Sequence, residues 1–374
     1  MAARNHTKWK QIPGQLKSGE FVDSRIYSDE DIFKKEMNTI FRKVWIPVCH
    51  ESEIPEPDRF RTTTIAGVPI LVVRDNKGKI HALANTSERR PSGKIELEVG
   101  FKDMPDPLHC DVKFGGFVWV TLNENPPTME EWVDGSFDCM EKSLNAEPLD
   151  VFHYHKAIIP CNYKLWHDTN SEFYHDYLHY HNRITGFNES YFARENKCFN
   201  NGHVNVGSFE VQYDNYDGFE SREELSFPHL PTNHWEMIDM FPGINFNLRG
   251  SALRVDVMTP LSPDKVMIEF RGLGLKSDTD KERLIRQRHH NSIWGPFGRN
   301  LHEDLIAVST QQGTMHDHAE PRRILHGRHE NNTIHDEVGM RHFYDEWGRW
   351  VDLWPGDPSL TYTEGQSLEL EKAA

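Results

Sequence analysis

The feature that most constrains the fold of this 374-residue chain is a change in its hydrophobic pattern at the double proline Pro126-Pro127. Before this point, short apolar segments alternate with turn residues, as expected for β-strands. The predicted strands are residues 44–48, 61–65, 68–73, 80–84 and 117–122, and residues 75–78 form a hairpin turn. Beyond the prolines, helix-like and strand-like segments are mixed. The sequence therefore predicts a small all-β domain followed by a larger α+β domain.

The predicted division of the chain has three parts. Residues 1–43 form an N-terminal helical segment that packs on the larger domain, residues 44–122 form the β domain, and residues 123–374 form the larger domain. In the larger domain we predict helices over residues 130–144, 281–291 and 303–312. Residues 255–258 and 266–270 read as adjacent antiparallel strands, since a short turn sequence separates them.

Charge and composition exclude several classes of protein. The chain has 42 Lys and Arg against 58 Asp and Glu, a formal net charge of −16. This balance argues against nucleic acid or an anionic membrane as a partner, because both need a basic surface. No apolar stretch approaches the ~18 residues of a membrane span, and no signal-peptide core follows Met1, so we expect a cytoplasmic protein. The five cysteines are widely spaced and form no CxxC pair, which argues against a disulfide framework.

The segment 162–181 is rich in histidine and acidic residues. A helix here places His175 and His179 on one face, four residues apart, with Glu172 on the same face. Two imidazoles in this arrangement can hold a metal ion, while His181 points elsewhere. A pair of hydrogen-bonded core histidines is the alternative interpretation, because an isolated HxxxH pattern is weak evidence.

A two-histidine site needs a carboxylate from elsewhere in the chain to become a facial triad, which leaves coordination positions open for oxygen and substrate. Asp304 is the best candidate for this carboxylate. The alternative interpretation is an acidic residue favoured by the dipole at the start of a helix.

Motifs along nearly the whole chain resemble those of Rieske non-haem iron oxygenase large subunits. The segment Asn162-Tyr163-Lys164-Leu165, followed by Glu172-Phe173-Tyr174-His175 and Leu178-His179, is similar to the iron-binding signature of that family. The carboxylate-ligand segment of the family is similar to residues 303–304 and 311–313. Its C-terminal helix is similar to residues 336–339 and 343–347. Residues 40–45, 50–55 and 67–75 resemble the opening of its Rieske domain.

The resemblance implies a fold and a mononuclear Fe(2+) site. The expected architecture is an α+β protein with an N-terminal all-β Rieske-like domain and a C-terminal helix-grip (START/Bet v1-like) domain built on an antiparallel sheet. The iron ligands implied are His175, His179 in preference to His181, and Asp304. Glu172 matches the acid that bridges the cluster of one subunit to the iron of the next, and Asp168 matches a neighbouring acidic position. We take both acids as candidate catalytic residues.

The same resemblance shows a departure in the β domain. In the family, Cys-x-His and Cys-x-x-His loops hold a [2Fe–2S] cluster. Here Ser87 and Arg89 replace the first pair, and serine is a poor ligand and arginine none. The second motif is absent between Ser87 and Gly116, and His109-Cys110 lacks its spacing. We therefore expect no [2Fe–2S] cluster in this chain, which has degenerate cluster loops.

The expected function is that of an oxygenase subunit that depends on a partner. In the family, electrons pass from the cluster of one subunit to the iron of its neighbour. The expected partner is therefore a Rieske-cluster-containing oxygenase subunit in a mixed trimer or hexamer, and this partner receives electrons from a ferredoxin and reductase. With these electrons, the chain would use O2 to hydroxylate or demethylate a small organic substrate, aromatic or not.

Three alternatives remain open. The chain could be a non-catalytic structural or regulatory subunit of such an oligomer, or a hydrophobic-ligand binding protein built on the helix-grip domain. His316 and His318 form an HxH pair that could bind metal, with exposed loop histidines as the plainer interpretation.

Overall fold

The computed structural model describes residues 21–84, 107–212, 225–316, 323–325 and 337–352. The small β region contains two three-stranded antiparallel sheets, with strand orders β2-β7-β6 and β3-β4-β5. Its strands are β2 (Ile46–His50), β3 (Phe60–Ile65), β4 (Val68–Arg74), β5 (Ile80–Ala84), β6 (His109–Lys113) and β7 (Phe117–Thr121). All five strands predicted here are therefore confirmed, to within two residues at either end.

A seven-stranded antiparallel sheet organises the larger region, in the order β8-β14-β13-β12-β11-β10-β9. Its strands are β8 (Leu149–Ile159), β9 (Lys197–Cys198), β10 (Val204–Glu210), β11 (His234–Met240), β12 (Ile244–Arg249), β13 (Ala252–Ser262) and β14 (Lys265–Leu275). Strands β13 and β14 pair as predicted, with Val257 opposite Glu269. A separate two-stranded pair joins β1 (Phe21–Asp23) to β15 (Arg323–Leu325).

Helices cover and connect these sheets. They are α1 (Glu30–Glu36), α2 (Met129–Val133), α3 (Glu141–Leu144), α4 (Tyr163–Ser171), α5 (Tyr180–Thr185), α6 (Glu189–Phe192), α7 (Asp280–Trp294), α8 (Leu301–His316) and α9 (Val338–Val351). Helix α1 begins after Asp29, whose carboxylate accepts the backbone N–H groups of Asp31 and Ile32. Helices α7 and α8 confirm the predictions for residues 281–291 and 303–312.

The prediction of one helix over residues 130–144 was wrong. Helix α2 ends at Val133, because Asp134 and Gly135 adopt the left-handed region with φ of 48° and 77°. Helix α3 begins again only at Glu141. Local helix propensity is overridden here by a turn that the Asp-Gly pair favours.

The β region and the large sheet share one hydrophobic core. The ring centroids of Phe117 and Trp119, on β7, lie 5.0 and 6.1 Å from that of Phe246 on β12. The predicted boundary at residue 122 therefore separates two groups of sheets that pack on one shared core. The domain boundaries at residues 43 and 122 remain a prediction.

A buried polar contact fixes the helix that leads into the histidine segment. The Lys164 ammonium on α4 and the Glu36 carboxylate on α1 are both fully buried and lie 2.5 Å apart. The Trp347 indole on α9 donates to the same carboxylate at 2.7 Å. Three helices that are distant in sequence are thus tied together beside the site. Among the described helices, none has the length and apolar content needed to cross a membrane.

Candidate metal centre

His175 and His179 lie on either side of a break between two helices. Helix α4 ends at Ser171, Glu172 is extended (φ −126°, ψ 144°), and His175 lies in a 3-10 turn over Tyr174–Tyr177. His179 immediately precedes α5. The expectation that one helix presents both histidines was wrong, because the Glu172 carboxylate accepts the backbone N–H groups of Tyr174 and His175 and stabilises a turn instead.

The two imidazoles nevertheless converge on one carboxylate. Asp304, in the first turn of α8, places Oδ1 3.2 Å from Nε2 of His179 and 3.8 Å from Nε2 of His175. The ring centroids of the two histidines are 5.4 Å apart. The structure thus brings together the three residues predicted as iron ligands, two imidazole nitrogens and one carboxylate oxygen, which is the donor set of a facial triad.

Each imidazole is also held from its other side by a glutamate. Nδ1 of His175 lies 2.6 Å from Oε1 of Glu172, and Nδ1 of His179 lies 2.6 Å from Oε2 of Glu303. A carboxylate at Nδ1 fixes the tautomer in which Nε2 faces the centre of the site. Sequence reasoning gave Glu172 a bridging role and no role to Glu303. The only signal for Glu303 was its position beside Asp304.

These acids shift the protonation of the histidines. Burial disfavours the charged imidazolium of His175, but Glu172 and Asp304 outweigh burial and raise its pKa to about 10. Burial opposes the charge on His179 too, and Asp304 raises the pKa of that imidazole above its ordinary value. Burial would raise the pKa of Glu172, but the neighbouring His175 lowers it overall. The carboxylates therefore make the site strongly attractive to a cation.

Asp176 is a second carboxylate beside the same imidazoles, and the sequence analysis did not single it out. A ligand atom from each of His175, Asp176 and His179 lies within 4.8 Å of the others. The Tyr191 hydroxyl donates to Oδ2 of Asp176 at 2.8 Å. Asp304 places a single oxygen within 3.8 Å of Nε2 of both histidines, and its role as the third donor remains a prediction.

Asp168 lies one turn before Glu172 and contacts tyrosines. The hydroxyl groups of Tyr27 and Tyr344 each donate to its carboxylate, at 3.1 Å. These two hydroxyls are also 2.9 Å from each other. Asp168 therefore joins α4 to α9 beside the site, and its predicted catalytic role remains a prediction.

Two cavities meet at the three converging side chains. His175, His179 and Asp304 line both a cavity of about 910 Å³ and a cavity of about 90 Å³. Glu172, Glu303 and Asp168 border the larger one. The smaller one is bordered by Asn170, Asp176, Arg194, Trp235, Arg249 and Trp294. A metal ion held by the three side chains would thus be accessible from two sides.

The positions of the expected cluster loops, Ser87 and Arg89, lie outside the described residues, as does His318. The segment 85–106 contains neither cysteine nor histidine. In the described β region, Cys49 on β2 and Cys110 on β6 are separated by β7, so their backbones are about 10 Å apart. Burial raises the pKa of the Cys110 thiol to about 12, which disfavours the thiolate that a cluster requires.

The histidines of the β region also have partners other than a metal. Nε2 of His50 lies 2.6 Å from the carbonyl of Gly115, and Nε2 of His81 lies 2.9 Å from the Asp75 carboxylate. Nε2 of His109 lies 3.1 Å from the carbonyl of Glu124. The cysteines and histidines that the structure describes in this region do not fit a [2Fe–2S] cluster, which needs two thiolates and two imidazoles together.

Comparison with protein families identifies both regions. Residues 145–353 match the family described as the ring hydroxylating alpha subunit (catalytic domain), and residues 44–88 match the Rieske [2Fe-2S] domain. Oxygenases of this kind use a mononuclear iron. The Rieske match gives no support to the expectation that this chain lacks the cluster, and that expectation remains a prediction.

Individual proteins give the same result. The chain is 55% identical to the methanesulfonate monooxygenase hydroxylase subunit alpha of Methylosulfonomonas methylovora, over 97% of this chain and 98% of that one. It is 34% identical to the 2-aminobenzenesulfonate 2,3-dioxygenase subunit alpha of an Alcaligenes species, over 90% and 95% of the two chains.

Among solved structures, naphthalene 1,2-dioxygenase from a Rhodococcus species shares the fold, with a TM-score of 0.68 at 16% identity over 88% of this chain and 94% of that one. The predicted family, the α+β fold class and the classification as an oxygenase are confirmed. The chain belongs to the family of Rieske-type ring-hydroxylating oxygenase alpha subunits, which are non-haem iron oxidoreductases.

Proposed function

We propose that this chain is an oxygenase subunit that holds one ferrous ion with His175, His179 and Asp304. The observation that carries the proposal is the approach of both Nε2 atoms to Asp304 Oδ1, within 3.8 Å. Ferrous iron bound by this donor set leaves positions for O2 and substrate and supplies the oxygen-activating chemistry.

The residues around the triad orient its donor atoms and favour the binding of a cation. Glu172 and Glu303 accept the Nδ1–H groups, which directs both Nε2 atoms inward and makes the imidazoles more basic. Tyr191 holds Asp176 through the hydroxyl bond and keeps that acid in place beside the site. These contacts hold the donor groups in place around the site.

The Glu303→Gln substitution tests this arrangement. Glutamine keeps the shape of the side chain but removes the charge behind His179, so we expect Fe(II) affinity to fall roughly 10- to 100-fold. Anaerobic titration with Fe(II) measures the effect. Glu130→Gln is the matched control, because Glu130 is exposed and pairs with Lys113 in the β region. Equal affinity in the Glu303 variant and the wild type would contradict the role given to Glu303.

We assign the electron-donating cluster to a partner subunit. Monooxygenation needs two electrons and two protons for each O2, so that one oxygen atom enters the substrate and the other leaves as water. The described cysteines and histidines of the β region do not fit a cluster, and residues 85–106 contain neither cysteine nor histidine. A cluster-bearing oxygenase subunit in a mixed trimer or hexamer, with a ferredoxin and reductase upstream, would then deliver the electrons.

The alignment with the Methylosulfonomonas protein is longer than this chain. It extends over 407 positions although this chain has 374 residues, so at least 33 aligned positions have no residue here. Nearly all of both chains is covered, which places the missing residues inside the alignment. The Rieske match also stops at residue 88, beside Ser87.

We further propose a small organosulfonate as the substrate. Two relatives that align over most of this chain are named for methanesulfonate and for 2-aminobenzenesulfonate. The smaller cavity at the triad, about 90 Å³, is below the ~150 Å³ that holds a benzene molecule. A substrate held in this smaller cavity would therefore be a one- or two-carbon sulfonate rather than an aromatic one.

A further inference from the structure

In the described part of the chain, Arg194 is a buried cation with unsatisfied hydrogen-bond donors. Its residue is 3% exposed and it lines the small cavity together with His175, His179 and Asp304. Its Nε donates to the backbone carbonyl of Tyr191 at 3.2 Å. Among the described residues, neither Nη1 nor Nη2 has a hydrogen-bond acceptor. A buried charge with unsatisfied donors is costly, which indicates that an anion completes this site.

Aromatic rings hold the guanidinium in a fixed position. Its Cζ lies 4.3 to 4.8 Å from the ring centroids of four aromatic residues, namely Phe173, Tyr191, Phe209 and Trp235. Burial lowers the pKa of Arg194 to about 10, so the group is still charged at neutral pH. The rings pack around the guanidinium, and its two terminal nitrogens remain without a hydrogen-bond acceptor among the described residues.

The other polar groups of the cavity point to the same type of ligand. Nδ2 of Asn170 is buried and has no acceptor among the described residues. Arg254 is neutralised by Asp256, with which it forms a buried ion pair, and Arg249 adds further positive charge beside Trp294. Asp176 and Asp304 are the carboxylates that line the cavity, and Oδ2 of Asp176 accepts from the Tyr191 hydroxyl. Arg194 and Asn170 therefore offer three donor nitrogens, Nη1, Nη2 and Nδ2, in a cavity that the triad also lines.

We propose that Arg194, assisted by Asn170, binds the sulfonate group of the substrate and makes this cavity selective for small organic sulfonates. The two Nη groups of a guanidinium can donate in parallel to two oxygens of a sulfonate, and Nδ2 of Asn170 can donate to the third. The carbon end then faces the side lined by His175, His179 and Asp304. This inference rests on the proposed function for its substrate class, while the residues follow from the cavity itself.

The test is a binding measurement that needs no turnover. Calorimetric titration of the whole chain with methanesulfonate, under anaerobic conditions, is expected to give binding that Arg194→Gln weakens about 100-fold, since charged hydrogen bonds are lost. Dimethyl sulfone, a neutral molecule of similar size, should bind both proteins equally weakly. Arg183→Gln is the matched control, because Arg183 is an exposed arginine on α5. Unchanged methanesulfonate binding in Arg194→Gln would overturn the proposal.

Two further readouts distinguish a binding role from a structural one. The ligand-free melting temperature of Arg194→Gln should be no lower than that of the wild type, because the substitution removes a buried charge whose terminal nitrogens have no hydrogen-bond acceptor among the described residues. Methanesulfonate should raise the melting temperature of the wild type and not that of the variant. If Arg194→Gln does not fold, Arg194→Lys replaces it in the test, because lysine keeps the charge without the planar pair of donors. Arg194→Lys should bind methanesulfonate at least tenfold more weakly than the wild type. Wild-type affinity in this variant would overturn the proposal.

Sulfate distinguishes a substrate subsite from a general anion site. Sulfate has one oxygen and one negative charge more than methanesulfonate but no carbon to place near the triad, so a substrate subsite should bind it more weakly than methanesulfonate. Tighter binding of sulfate would overturn the substrate assignment. Affinity is measured without iron or O2, so binding and oxygenation are tested separately. If the protein binds methanesulfonate through Arg194 but does not oxygenate it, only the proposed function is refuted. Oxygenation of a non-sulfonate by a wild type that does not bind methanesulfonate would refute this inference and the proposed sulfonate substrate, but not the proposed oxygenase role.

Discussion

Replacing His175 with alanine is expected to leave the protein folded but without its iron, and to lower oxygenation by the reconstituted complex roughly a thousandfold or more. His175 supplies one of two imidazole donors to the site, and Asp304 lies 3.8 Å from its Nε2. Without this donor, two ligands remain, and Glu172 loses the imidazole that balances its charge. Iron content by metal analysis and substrate conversion under O2 measure the two effects.

His81→Ala is the matched control, because His81 contacts Asp75 within its own hairpin, in the β region. Its iron content and turnover should equal those of the wild type. Full activity in His175→Ala would show that the converging side chains do not form the reactive centre.

The third donor can be identified by a pair of aspartate variants. Asp304→Asn should abolish iron binding, whereas Asp176→Asn should retain it, because Oδ1 of Asp304 faces both imidazoles and Asp176 is already engaged by Tyr191. The opposite pattern would make Asp176 the ligand.

Turnover is expected to require a second, cluster-bearing oxygenase subunit. We compare the iron-loaded chain, supplied with ferredoxin, reductase and substrate, with and without that partner. Without the partner, it should form less than about one hundredth of the product, because electrons reach the iron too slowly when no cluster lies between donor and iron. A partner whose own iron ligands have been replaced should still restore turnover, because this chain supplies the iron. Product formation by this chain alone would contradict the assignment of the cluster to a partner.

Much of the fold could be predicted because the strands have clear local signals. Residues 68–74 form a strand bounded by a tight turn, and the Asp75–Gly78 turn joins it to β5. The three proposed iron ligands were predicted from a family resemblance, and the structure brings them together. Spacing alone did not determine this, because 125 residues separate His179 from Asp304 along the chain.

The errors have physical causes that sequence patterns do not show. The segment 163–181 has helical spacing, yet the Glu172 carboxylate satisfies the backbone N–H groups of the next turn and ends the helix. Glu303, Asp176 and Arg194 were missed for a related reason. Their importance depends on side chains that come from other elements, such as the four aromatic rings around Arg194, and no single stretch of sequence contains that information.

The most direct test is the content of iron and acid-labile sulfide in the chain, purified anaerobically without any partner after expression with ample iron. One iron per chain and no sulfide is the predicted result, since the triad fits one metal ion and the described cysteines and histidines of the β region do not fit a cluster. Two or more irons with matching sulfide would contradict the assignment of the cluster to a partner, and a chain without iron would instead be a structural subunit of the oxygenase.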